Sequence, residues 1–201
     1  MLGFPKTTEL YKPLPKKAIY TKFCIDTAKK EKIDADISKI TIVNEISSTS
    51  LHVVEGGLVK NFFVLLVNLK KKDFDHRTIA YVSNLIPQNI LFILEYGDEA
   101  KLAVYHTKLM QTSWQAKDSF SIQLSGLTLD NVWKNIIMQV GDIQIENAST
   151  LDEQIEINDR RQKLEKGIDR LDKLLIKEKQ PKKKFEMFQQ IKQLKKELEE
   201  I

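Results

Sequence analysis

The stretch that decides the fold is 59-VKNFFVLLVNLK-70. From Phe62 to Val67 it is apolar without a break, and it follows the turn signal Gly56-Gly57. So short a run, with no polar alternation, reads as a strand covered on both faces, a place found inside a sheet with layers packed on it.

The flanking segments supply the rest of that sheet. Upstream, 39-KITIVNEIS-47 alternates and is β-branched, the pattern of a half-buried strand. Before it, Pro5, Pro13 and Pro15 fix φ and withhold donors, so residues 1–15 read as an extended arm. The arm leads to a helix starting near Pro15, with Ile19 and Phe23 on one face. Downstream, Phe74, Ile79, Val82 and Ile86 recur at helical spacing, and Asp75 can cap the helix they predict. Two strands, 89-NILFILEY-96 and 100-AKLAVYHT-107, then flank a turn at Gly97-Asp98. Residues 109–118 read as irregular and 119-SFSIQL-124 as a further strand. In 128-TLDNVWKNIIMQVG-141 the residues Leu129, Val132, Trp133, Ile136, Ile137 and Val140 share a helical face, with Thr128 as cap. The order α-β-β-α-β-β-β-α predicts an α+β fold, a mixed sheet packed with helices.

From about Ser149 the composition changes. Leu164, Ile168, Leu171 and Leu175 are spaced four, three and four, as in a coiled-coil seam. The pattern resumes beyond 178-EKQPKKK-184 as Phe185, Phe188, Ile191, Leu194 and Leu198. Pro181 cannot sit inside a straight helix, so the tail is expected to fold back as an antiparallel helical hairpin, near 151–178 and 182–201, rather than run on as one kinked helix. The expected domains are residues 1–148, globular, and 149–201, a charged hairpin.

The 201 residues are 42% apolar and 30% charged, within the range of globular chains. Thirty-two basic against 28 acidic residues give a net charge of +4, which neither requires nor excludes nucleic-acid contact. The single Cys24 cannot form an internal disulfide and reads as a packed small side chain. The opening residues lack an apolar segment of the signal-peptide kind, and no run approaches the ~20 residues of a membrane span, so the expected location is cytoplasmic.

Glu99-Ala100-Lys101, with Glu95 one strand earlier, has the residue types of a metal-dependent nuclease, in which two carboxylates hold a divalent ion and a lysine steers water. Yet Glu99 lies beside the hairpin turn, where acids are common because they are solvated, and 59–70 offers no aspartate; Glu45 and Glu55 are the remaining donors. The preferred expectation is therefore no catalytic set, no metal and no cofactor. Lys182, Lys183 and Lys184 form the strongest basic cluster and are candidate nucleic-acid contacts. However, residues 151–201 hold fourteen Lys/Arg and twelve Asp/Glu, a mixed-charge surface. An aliphatic seam of that length needs covering by protein, so Leu164, Ile168, Leu171, Leu175, Phe185, Phe188, Ile191, Leu194 and Leu198 are the candidate partner-binding residues.

As an ordered set, several segments resemble a bacterial and archaeal family, domain of unknown function 4391. They are 1-MLGFPKTTELYKPLPK-16, the hairpin-like 43-VNEISSTSLHV-53, 64-VLLVNL-69, 86-IPQNILFILEY-96, Tyr105 to Trp114, 126-GLTLDNVWKNIIMQV-140 and 179-KQPKKKFEMFQQIKQLKKELEE-200. The resemblance implies no established activity. It implies a setting beside DNA methyltransferases and helicases, in loci of restriction or phage-defence type. The resulting expectation is a non-catalytic accessory or scaffolding subunit. It would act on a helicase or methyltransferase, or associate with itself through the C-terminal helices, without membrane contact. A divergent nuclease or a DNA-binding subunit is the alternative.

Overall fold

The computed structural model describes residues 2–143 and 150–200. The chain divides into two compact units, Met1–Asp142 and Ile143–Ile201. The boundary expected between 148 and 149 lies outside the described residues.

In the first unit the elements run β1 (Glu9–Pro13), α1 (Lys16–Lys22), α2 (Thr27–Asp36), β2 (Ile37–Ser47), α3 (Ser48–Leu51), β3 (Asn61–Leu69), α4 (His76–Leu85), β4 (Asn89–Tyr96), β5 (Glu99–Tyr105), β6 (Leu109–Gln111), β7 (Gln115–Ala116) and α5 (Leu129–Gly141). The strands form one mixed sheet in the order β1-β2-β3-β4-β5-β6, with β7 also on β5. All neighbours are antiparallel except β3 and β4, which are parallel because α4 carries the chain back between them.

Strand β3 is central and buried on both faces, as its unbroken apolar run requires. Leu65, Val67 and Leu69 pack on one face with Ile19 of α1, Ile33 of α2, and Ile79 and Val82 of α4. Phe62 and Val64 point to the other, where the ring of Trp133 from α5 lies 5.0 Å from that of Phe62. Every residue predicted for the inward stripe of α5 is buried, and Thr128 Oγ1 accepts from Asn131 N–H as its cap. The cap of α4 is also as expected, Asp75 accepting from Arg77 N–H.

Several expectations are refined or corrected. The N-terminal arm is extended, as expected, and also paired: residues 9–13 form edge strand β1 on β2, and Pro13 is tolerated there because an edge strand can spare a donor. Helix α2 gave no periodic signal, since Ile33 is the one large apolar side chain it buries; Asp26 caps it instead, accepting from Lys29 N–H. The segment 43–53 is no hairpin: β2 runs to Ser47 and a capped turn, α3, follows. Residues 119–124 are not a strand although Phe120 and Ile122 are buried, so the alternation there encodes burial without a ladder, while 109–116 supplies β6 and β7. Cys24, expected to be packed, is exposed.

The glycine pair before β3 wraps a carboxylate. Asp130 Oδ2 accepts from Gly57 N–H at 2.7 Å and Oδ1 from Val59 N–H at 2.7 Å. A Cβ on Gly56 would stand 2.3 Å from Asp130 Oδ1 and 2.5 Å from Val59 O, so glycine is required by the close approach. These donors, the Val59 amide foremost, hold the Asp130 carboxyl below the usual carboxylate range.

The second unit contains α6 (Leu151–Lys177) and α7 (Pro181–Glu199), packed on each other. Thr150 and Glu153 close a capping box at the start of α6. Chain reversal takes three residues: Glu178 Oε1 accepts from the amides of Lys179 and Gln180, both at 2.8 Å, and Pro181 opens α7.

Candidate functional site

Two features stand out, one in each unit. The first is the turn end of the hairpin. Within the seam Ile168 and Ile191 are buried, and Leu164, Leu171, Leu175, Leu194 and Leu198 are half-buried. Phe185 and Phe188 do not join them. They are 64% and 56% exposed, and Met187 takes the seam position, completing the spacing Met187, Ile191, Leu194, Leu198. A methyl on Gly167 would touch Leu194 Cδ1 at 3.5 Å. Counting back along antiparallel helices from that contact puts Ile176 and Leu174 at the level of Phe185 and Phe188. Leu174 and Ile176 are 42% and 82% exposed. Four large apolar side chains thus surround the turn end of the hairpin. Lys177, Lys179, Lys182, Lys183 and Lys184, all exposed, lie among them, against Glu178 and Glu186 as the only acids of 177–186. Leu174 and Ile176 fall outside the four-three-four spacing, and that departure is the sequence signal that marks them.

The second feature centres on Lys101. Among the described residues it is the only buried lysine or arginine. It faces the same side of the sheet as its β4 neighbour Leu94. Its ammonium lies 4.7 Å from the centre of the Phe74 ring and 5.0 Å from that of Trp114, with no carboxylate at ion-pair distance among the described residues. Burial pushes its pKa down. His76, opening α4, packs edge-on to Phe74 at 4.8 Å; its pKa is lowered by burial and then by the Lys101 charge. Gln111 Nε2 stands 3.1 Å from His76 Nδ1, while Gln111 Oε1 is buried without a partner. Lys72 lies 5.5 Å from the Trp114 ring centre and pairs with Glu99. Lys101, the pair Phe74 and His76, and the pair Gln111 and Trp114 come from three separate segments, so no local pattern links them. The lysine itself does carry a signal, as the charged member of 100-AKLAVY-105.

The register separates the carboxylates considered with Lys101. Glu99 and Lys101 share a face, two residues apart on β5. Glu95 pairs with Ala100 and with Asn68, so it points to the opposite face, where Lys117 Nζ binds it at 2.7 Å. Glu45 pairs with Phe63, five residues from Asn68 along β3, or roughly 16 Å. Glu55 is held by Lys60 at 3.0 Å. Glu45, Glu95, Glu99 and Lys101 therefore do not converge.

A family model described as a domain of unknown function, DUF4391, matches residues 2–198. No curated protein matches the chain. No solved structure matches it either.

Proposed function

The chain belongs to the DUF4391 family, and from that premise we propose that it is a non-catalytic accessory subunit that uses the hairpin as a docking element. The observation that carries this reading is the exposure of Leu174, Ile176, Phe185 and Phe188 among five lysines at the turn. Apolar anchors ringed by one sign of charge suit a partner surface with apolar pockets and an acidic rim, since charge steers the encounter and burial of the aromatics holds it. Helix α6, 27 residues long, presents that tip at one end of a rod of about 40 Å. The partner we propose is a DNA methyltransferase or helicase encoded beside it, in a restriction or phage-defence assembly. Contact with nucleic acid through Lys182, Lys183 and Lys184 is the competing use of the same tip.

The test is co-expression of the full chain with the proteins encoded beside it, followed by co-purification. Substituting Phe185→Ser together with Phe188→Ser is expected to abolish association while leaving helical content unchanged. Association that survives this double variant and deletion of 149–201 sinks the docking role. Tight, steeply salt-dependent DNA binding, lost on Lys182→Glu, Lys183→Glu and Lys184→Glu, would favour the nucleic-acid use instead.

A further inference from the structure

Helix α6 turns its seam to α7 and the opposite face to solvent. Arg170 lies two positions beyond the seam residue Ile168, about 200° around the helix. Lys163, Lys166, Lys173 and Lys177 fall on the same side, spaced three, four, three and four with Arg170, within about 80° of arc. All five are exposed, and the stripe they form is about 21 Å long. Only the first is neutralised, by Asp159 at 2.7 Å. Among the described residues no carboxylate comes within ion-pair distance of Lys166, Arg170, Lys173 or Lys177. These four, with Asp169 and Leu174 at the margins, border an open groove of about 410 Å³. A merely solvated face would be built otherwise. The pairs 163–166, 166–170, 170–173 and 173–177 are all like-charge pairs at i,i+3 or i,i+4, an arrangement that costs a helix stability. Glu165, Asp169 and Asp172, the acids of the segment, are set to one side instead of alternating with the cations. The segregation leaves one strip of positive potential along a rod that α7 braces from behind.

We infer that this face of α6 is a binding surface for double-stranded DNA, the helix lying along the major groove with its cations on the flanking phosphates. That groove is about 12 Å wide and accepts a helix of about 10–12 Å, whereas the major groove of A-form RNA is too narrow. The stripe holds no aromatic ring. It therefore has no stacking platform for single strands, and none of the aromatic anchors that hold a protein partner. Phosphate contacts need neither, since released counterions supply the affinity, and they carry no sequence preference. The surface is distinct from the apolar tip and from Lys182, Lys183 and Lys184, and it does not rest on the docking reading.

The experiment is fluorescence anisotropy of the full chain with labelled DNA duplexes two helical turns long, in two unrelated sequences. Equal binding of both is expected, weakening about a hundredfold between about 50 and 200 mM salt, as four phosphate contacts require. The combined substitutions Lys166→Gln, Arg170→Gln, Lys173→Gln and Lys177→Gln are expected to lower affinity by roughly tenfold or more and to flatten the salt dependence. Helical content should be kept, because the like-charge pairs are removed. Asp169→Asn provides a second reading that leaves the cations in place, with an expected gain of severalfold. Absence of duplex binding by the wild-type chain at the lower salt overturns the inference. So does unchanged binding by the fourfold variant, or an equal loss from Lys182→Gln, Lys183→Gln and Lys184→Gln together. Binding of an RNA duplex or of polyglutamate as tight as that of DNA overturns it too. Because Phe185→Ser with Phe188→Ser reports on the tip, failure of this surface and failure of the docking reading register separately.

Discussion

Asp36 and Lys101 respond to pH in opposite senses. Burial alone would push the Asp36 carboxyl up, but hydrogen bonds from Thr78, Lys71 and the Asp75 amide outweigh it and hold it below the usual carboxylate range. A depressed carboxyl stabilises the fold above its unfolded pKa, and that contribution drains away as pH falls below about 4. Asp36→Ala should therefore cost about 3 kcal/mol at pH 7, since it strands Thr78 and Lys71 together, and the deficit relative to wild type should shrink between pH 4 and 2 in urea melts. Lys101 works the other way. With its folded pKa lowered, the unfolded chain binds the proton more tightly, so stability rises as pH climbs through the folded pKa. The groups around it, His76, Asp73, Asp75, Lys72 and Glu99, leave it without a paired charge. Lys101→Met, of similar length, is expected to raise Tm by roughly 2–4 °C at pH 7 and by less as pH approaches 10, measured by thermal denaturation. A fall in Tm would mean that the two rings stabilise the cation more than its burial penalises it.

At the scale of the element, β5 and the hairpin show how far spacing can be read. The Glu-x-Lys letters are on one strand face as alternation demands, but a strand's neighbours are chosen by pairing, and the pairing put Ala100 opposite Glu95. In the hairpin the four-three-four rule located Ile168, Ile191, Leu194 and Leu198, while Phe185 and Phe188 were assigned to a stripe that belongs to Met187. The proline break obscured the phase, because one residue of offset turns a side chain by about 100° on a helix. Gly167 offers a check on this packing. Its missing methyl has room at ordinary contact distance from Leu194, so Gly167→Ala should stabilise the second unit by about 0.5–1 kcal/mol through helix propensity, seen as a higher denaturation midpoint. Were the helices closer than this, the same substitution would separate them and lower the midpoint.

For the molecule as a whole, the Asp130 loop ties α5 to the entry of β3, and Gly56→Ala tests how tightly. Its Cβ would collide with the Val59 carbonyl as well as the carboxylate, so a loss of about 1–3 kcal/mol is expected in chemical denaturation; a neutral result would show that the loop can move away at no cost. Much of the architecture was legible in the chain. The unbroken apolar run of 62–67 required a central strand, the stripes of α4 and α5 required covering helices, and Pro181 with its flanking seams required a chain reversal. These follow from sequence alone because side-chain burial repeats with the local backbone period, two in a strand and 3.6 in a helix. Edge strand β1 and helix α2 escaped notice because they bury too few apolar side chains to show a period. Only the tertiary structure decided what surrounds Lys101: Phe74, Gln111 and Trp114 are brought to it by strand pairing and by the crossover of α4, contacts between distant segments that leave no spacing behind.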